Sequence, residues 1–394
     1  MRILFIHEVN YIQKPIFEMH EFPEWLAHKG HDVGFFHFPE GFSYSQVKSL
    51  GWKKKIKGRV VRSIDITLFT PQLSSGSLVG RLLHFVFARV MLAKSITDFQ
   101  PEIIVSYSVP TSGWQATKLA KRRKIPIVFR AIDVPHKIRA RTPQFFIKSI
   151  ERIVYKSSDW ISANNQALLN YCCELSKRTG SCSVDYPPLN LEHFRRKSFS
   201  KLPELNRSFP PESRILVYVG TFFYFSGLPQ VIREFDLRRM PGEYLLLVGG
   251  GEQNDSLNRL VLDLGLKEWV VFTGFVPYEN LNAYLSVASV AINPMLRSLV
   301  SDKAFPNKVI QYVAAQMPVS TTRLSSLEAI FSESDTFHFS DSPEQVLSTA
   351  LDMARKFGPH PPLVPLPVGF EDKFAVVSSL QKFEDLLFLL VKIK

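Results

Sequence analysis

Two α/β domains, each built on a doubly wound parallel sheet, are what this sequence predicts, and three observations predict them. The chain has 394 residues, more than one domain of about 150 to 200 residues accommodates. Short apolar runs alternate with helical segments, the pattern of βαβ units. That alternation stops at a polar, proline-bearing stretch, Arg195 to Ser213 with FPPES inside it, and then starts again. The stretch reads as a linker, with domains on either side of it at 1–195 and 196–369.

In the first half, strands are expected at Arg2 to His7, Asp32 to Phe38, Ser63 to Phe69, Glu102 to Ser108, Pro126 to Ala131 and Asp159 to Ala163. Helices fall between them, the first at Ile16 to Lys29. In the second half, Ile215 to Val219 is a strand ending at Gly220, and LLLVGGGE, VVFTGF, VAINP and PVSTT each read as a strand with its turn. The last segment, Phe374 to Ile393, is a helix whose apolar residues are Val377, Leu380, Phe383, Leu387 and Leu390. Open α/β sheets bind ligands at the carboxyl ends of their strands, so two such domains facing a cleft would share one site.

Composition narrows the class. Hydrophobic residues make up 45%, as in globular proteins. No run of 18 apolar residues occurs, so no transmembrane helix is expected. MRILFIHEV reads as a buried strand without a signal-peptide cleavage region. The three cysteines, Cys172, Cys173 and Cys182, show no metal-site spacing and fit a reducing, cytoplasmic setting. Residues 1–195 hold 28 Lys and Arg against 15 Asp and Glu, a net of +13, while the remainder nets −1. The run Lys53, Lys54, Lys55, Lys57, Arg59 and Arg62, beside Trp52 and Phe42, is either a solvated loop or a patch for a phosphate-rich surface. With the charge confined to one half, an anionic membrane surface is the expected partner. The aromatic-plus-basic modules of nucleic-acid binders are absent, so no nucleic-acid partner is expected.

Three stretches carry chemistry. LLLVGGGEQNDSLNRL sets Gly249, Gly250 and Gly251 between a strand and a helix, letting backbone approach a ligand, or simply making a tight turn. It lacks the GxGxxG spacing of dinucleotide sites. FRAIDVPHKIRAR places Asp133 and His136 just past a strand end, able to meet a substrate hydroxyl, or else a capping Asp and a surface His. FPNKVIQYVAAQMPV puts an Asn-Lys pair at a helix start. Unpaired N–H groups and the positive dipole end make that an anion site, and Lys308 suggests a phosphate.

In order along the chain, GHDV at 30–33, YVGTFFYFSGLPQVIREF at 218–235, LLLVGGGEQNDSLNRLVLDLGLKEWVVFTGFVPYENLNAYLSVASVAINP at 245–294 and FPNKVIQYVAAQMPVSTT resemble a family 4 glycosyltransferase of the GT-B fold over nearly the whole length. The resemblance implies metal-independent, retaining sugar transfer from a nucleotide-sugar donor, UDP- or GDP-linked, to a glycan or lipid-linked acceptor. It places the acceptor on the N-terminal domain, with the helix at 370–394 packing back on that domain. The base would lie by the turn Thr273 to Val276, including Gly274 and Phe275. The diphosphate would lie near Gly220, Thr221 and Ser226, with Gly249 and Gly250 beside it. The sugar and phosphates would approach Phe305, Pro306, Asn307 and Lys308, and Gln311 would read the ribose. Asp133, His136 and Lys308 are the catalytic candidates.

The sequence also departs from the family. Lys303 and Gln311 stand where a pair of Glu is common, Ser226 where a Lys is common, and HEVNYIQKP replaces a glycine pair after the first strand. An uncharged Gln311 still accepts a hydrogen bond, without charge assistance. A non-catalytic relative, serving as partner subunit or sugar-binding module, is therefore the alternative.

Overall fold

In a computed structural model the chain divides into two compact units, Met1–Pro188 with Asp372–Lys394, and Leu189–Glu371. The structure describes residues 1–73, 78–138, 144–196, 202 and 209–394, so most of the expected linker lies outside it. The second unit takes in residues 189–195. There the His193 ring stacks on Tyr278 at 4.6 Å, and its Nε2 lies 2.9 Å from the Tyr278 carbonyl.

The first unit is an eight-stranded sheet in the order β3-β4-β2-β1-β5-β6-β7-β8. Its strands are β1 Arg2–Ile6, β2 Asp32–Phe36, β3 Lys53–Lys57, β4 Asp65–Phe69, β5 Ile103–Ser106, β6 Ile127–Ala131, β7 Trp160–Ala163 and β8 Cys182–Val184. Every neighbouring pair is parallel except β3 with β4. β5 and β6 are buried at every position, which is why they read as unbroken apolar runs rather than alternations. On one face lie the helices Glu18–His28 and Val376–Ile393, joined through Phe22 and Phe383, whose rings are 4.6 Å apart. On the other lie Leu78–Phe99, Gly113–Arg123, Gln144–Ser157 and Gln166–Ser176.

Three expectations change. The lysine run forms β3, an edge strand, rather than a loop. Only Ile56 of this strand packs toward the core, so it carries no apolar alternation to reveal it, and lysines are a common guard of a sheet edge. Strand β8, three residues long, was too short to show a period. In the last helix Leu380, Phe383, Leu387 and Leu390 are buried as expected, but Val377 is exposed. Val376, one position earlier and four before Leu380, packs on the core instead.

The second unit is a six-stranded parallel sheet in the order β11-β10-β9-β12-β13-β14. The strands are β9 Arg214–Val219, β10 Glu243–Val248, β11 Val270–Gly274, β12 Val290–Asn293, β13 Val319–Thr322 and β14 Phe337–Ser340. The helices Leu228–Arg238 and Pro343–Phe357 close its core through Val231, Ile232, Phe235, Val346, Leu347 and Leu351. Connections leave β9 toward opposite sides, so the carboxyl ends of β9 and β12 border the crevice where such sheets bind ligands. No helix among the described residues is long and apolar enough to cross a membrane.

Candidate functional site

In the second unit the ends of β9, β10 and β11 meet backbone to backbone. Gly220 follows β9 with φ 137°, and its N–H donates to the Val248 carbonyl at 2.9 Å. Gly249 follows β10 with φ 134°, and its N–H donates to the Gly274 carbonyl at 2.9 Å. A Cβ on Gly249 would stand 2.0 Å from the Gly220 oxygen, so only glycine fits. The triple-glycine turn is thus required for packing, and it leaves bare backbone at the strand ends. Gly250 lies under the ring of Phe275, with 3.2 Å between a Cβ placed there and the ring. Phe275 itself is exposed, Val276 is half-buried, and the Thr273 hydroxyl donates to the Gly274 carbonyl at 2.7 Å.

Facing this floor is the helix Asn307–Ala314, which starts after Pro306 without a side-chain cap. The Val309 N–H turns back to the Pro306 carbonyl at 2.9 Å, so the N–H groups of Asn307 and Lys308 are the ones left for another acceptor. Tyr312 ties the helix to the sheet by accepting the Val219 N–H at 2.8 Å. Lys308 lies four residues earlier on the same face, and so it too meets the end of β9. Its Nζ donates to the Tyr218 hydroxyl at 2.8 Å and sits 4.1 Å from that ring's centre. Tyr218 in turn donates to the Thr221 carbonyl at 3.1 Å. A Cβ at Gly220 would lie 3.3 Å from the lysine nitrogen. The residue keeps part of its surface accessible, but its ammonium is packed among protein atoms, and that burial pushes its pKa down to about 7.

Tyr218, Thr221, Ser226, Phe305, Pro306 and Lys308 line a cavity of ≈ 180 Å³. Ser226 is buried, with its hydroxyl 3.5 Å from Gln253 Oε1. Asn307 Oδ1 is buried with no hydrogen-bond partner, an acceptor awaiting a donor. Gln311 is half-buried one turn beyond Lys308. Lys303 lies 3.4 Å from the Asp302 carboxylate, which also takes the N–H and hydroxyl of Ser325.

Most of the expected donor residues thus gather at one end of the second unit. Tyr218 and Tyr312 were missed, although a tyrosine at the penultimate position of an apolar strand was a readable signal. Asp133 and His136 belong to the first unit. His136 is buried, not on the surface. Its backbone N–H and Nδ1 both meet the Glu151 carboxylate, with Nδ1 at 3.1 Å from each oxygen. Tyr171 donates to the same carboxylate at 2.7 Å. A carboxylate that fixes an imidazole is the arrangement that orients a polar contact or a base. Asp133, two residues past β6, is half-buried.

Residues 213–355 match the family model of glycosyl transferases group 1. A human GDP-Man:Man(3)GlcNAc(2)-PP-Dol alpha-1,2-mannosyltransferase is 29% identical over 36% of this chain and 30% of its own. A GDP-mannose-dependent alpha-(1-6)-phosphatidylinositol monomannoside mannosyltransferase of Mycolicibacterium smegmatis is 37% identical over 21% of this chain and 20% of its own. The chain thus spans a third or less of the length of these curated relatives. Solved structures align over far more of it. Sucrose-phosphate synthase from Thermosynechococcus elongatus superimposes with a TM-score of 0.80 at 16% identity, covering 100% of both chains. Anabaena HepE in complex with UDP and glucose gives 0.73 at 15%, covering 98% of this chain and 99% of its own. The fold is GT-B. The group 1 match lies within the second unit.

Proposed function

We propose that this chain transfers a glycosyl group, with retention, from a UDP- or GDP-linked sugar to a glycan or lipid-linked acceptor at the cytoplasmic face of a membrane. The observation that carries the reading is the Lys308 ammonium, held by Tyr218 beside Gly220 and the uncapped helix start. As the bond from the sugar's anomeric carbon to the diphosphate breaks, negative charge grows on the departing oxygen. A fixed cation and free N–H groups aimed there stabilise it more than they stabilise the ground state. The Thr273 to Val276 turn receives the base, Gln311 a ribose hydroxyl, and Asn307 Oδ1 a hydroxyl of the sugar. Asp133 and His136 serve the acceptor side.

Support comes from two directions: relatives whose names specify GDP-mannose, and a structural neighbour whose title specifies UDP. The nucleotide is therefore tested, not assumed. Calorimetry against UDP-, GDP- and dTDP-sugars should find one that binds, and Lys308→Ala should weaken it by about 1 to 3 kcal/mol, the scale of a lost charge-assisted hydrogen bond. Unchanged affinity in that variant sinks the assignment. Tight donor binding with neither hydrolysis nor transfer would favour the non-catalytic alternative, to which Lys303 and Gln311, in place of the usual Glu pair, lend weight.

A further inference from the structure

The Leu78–Phe99 helix is apolar on two opposite faces. One carries Ala88, Leu92, Ile96 and Phe99 into the core. The other carries Leu83, Val86, Phe87 and Val90, which are 40%, 60%, 45% and 66% exposed. Their spacing, i, i+3, i+4, i+7, makes one continuous stripe. A helix apolar on both sides is ordinarily covered on both, and an exposed stripe of this kind marks an interaction surface.

The next helices in the same layer say what covers it. Gly113–Arg123 packs beside Leu78–Phe99, and Gln144–Ser157 beside that. Their outer faces expose Lys118, Lys121, Arg122, Lys148 and Arg152, together with Phe145, which is 85% exposed. The three helices hold two acidic residues, Asp98 and Glu151. Asp98 is held by Trp52 and Lys94, and Glu151 is buried against His136 and Tyr171. The outer layer is thus cations and apolar side chains with no uncommitted carboxylate among the described residues.

We propose that this helical layer is the face by which the first unit docks on an anionic lipid bilayer. The stripe and Phe145 enter the interfacial region, while the lysines and arginines meet headgroup phosphates. A second copy of the chain would set these cations against their equivalents, which repel. A nucleic acid would pair with the cations but leave the stripe uncovered. The lysine run at β3 fits less well. Lys57 pairs with Asp65, Lys53 donates to the Asp98 carbonyl, and Arg59 turns inward to the Tyr11 and Lys14 carbonyls. The inference rests on the first unit alone, so it stands or fails separately from nucleotide-sugar binding.

The test is sedimentation of the full chain with vesicles of phosphatidylcholine, with and without phosphatidylglycerol. Binding is expected to the anionic vesicles only. The triple variant Val86→Ser, Phe87→Ser, Val90→Ser should lower the partition coefficient at least about tenfold, since insertion scales with apolar area. Phe145→Ser, on a different helix, should lower it further, and its circular dichroism and melting point should match the parent's. Lys53→Ser with Lys54→Ser should leave binding unchanged. Parent-like binding by both the triple variant and Phe145→Ser, no binding of the parent to anionic vesicles, or loss of binding only in the β3 variant would each overturn the proposal. So would a parent dimer that the triple variant converts to monomer, because the stripe would then be an interface between copies.

Discussion

Both units end their strands in sharp turns, but they hold those turns by different means. In the second unit the turns after β9, β10 and β11 are bare backbone, with Gly220, Gly249 and Gly274 bonded to one another's strands. In the first unit side chains brace them. The buried Glu24 carboxylate accepts the N–H groups of Arg59, Val60 and Val61 and the Tyr11 hydroxyl. Glu8 takes the N–H groups of Thr111 and Ser112, and His37 links Tyr11 to Thr70. Backbone turns without side chains let a ligand group shared by many substrates approach closely. Side-chain turns can be rebuilt with other residues, which suits a surface whose partner varies.

The contrast predicts opposite sensitivities. Gly249→Ala should be the most damaging small change in the second unit, because a methyl 2.0 Å from the Gly220 oxygen forces two strand ends apart. A loss on the order of 4 kcal/mol or more in urea unfolding is expected, and a parent-like midpoint would mean that the turn can relax. In the first unit the matching lesion is electrostatic. Arg130, buried on β6, donates to Glu18 through Nε at 2.7 Å and through a terminal nitrogen at 3.1 Å, and also to Ser162 and the Asp185 carbonyl. Arg130→Ala strands a buried carboxylate and should cost about 3 kcal/mol. Restoring stability with Glu18→Gln in the same chain would confirm that the stranded charge, rather than lost packing, is responsible.

The same contrast explains what was legible. Gly220, the triple glycine and the Asn-Lys helix start were legible because glycine is demanded locally: a Cβ on Gly249 or Gly251 would stand 2.0 or 2.8 Å from backbone atoms of Gly220 and Phe222, and Gly220 takes φ 137°. The apolar runs of β5, β6, β9 and β10 were readable because these strands are buried along nearly all their length. The hydrogen-bonded braces of the first unit left no such trace. Nothing in HEVNY announces that Glu8 caps the loop before Gly113, about a hundred residues on. His136 was singled out, yet its partner Glu151, fifteen residues later, was not. The outer stripe of the Leu78–Phe99 helix was hidden for another reason: apolar residues on both faces cancel the periodic signal.

The smallest effect belongs to Lys308 and concerns pH. Burial lowers its pKa from 10.5 to about 7, so the ligand-free fold binds fewer protons than the unfolded chain between those values. Stability of the free protein should therefore rise with pH across that window. Donor binding should run the other way. A nucleotide-sugar diphosphate keeps its charge through the range, and placing it against the ammonium raises the lysine pKa again. Binding at pH 8 then takes up close to one proton, and affinity should fall about fivefold from pH 7 to pH 8, roughly 1 kcal/mol. Calorimetry in buffers of different ionisation enthalpy reads the proton directly. Lys308→Arg, charged throughout, should bind donor with neither the uptake nor the slope. If the parent shows no proton uptake while Lys308→Ala still loses affinity, the lysine contacts the diphosphate but is already charged in the free protein, and its neighbours at Tyr218 and Gly220 leave it better solvated than the packing implies.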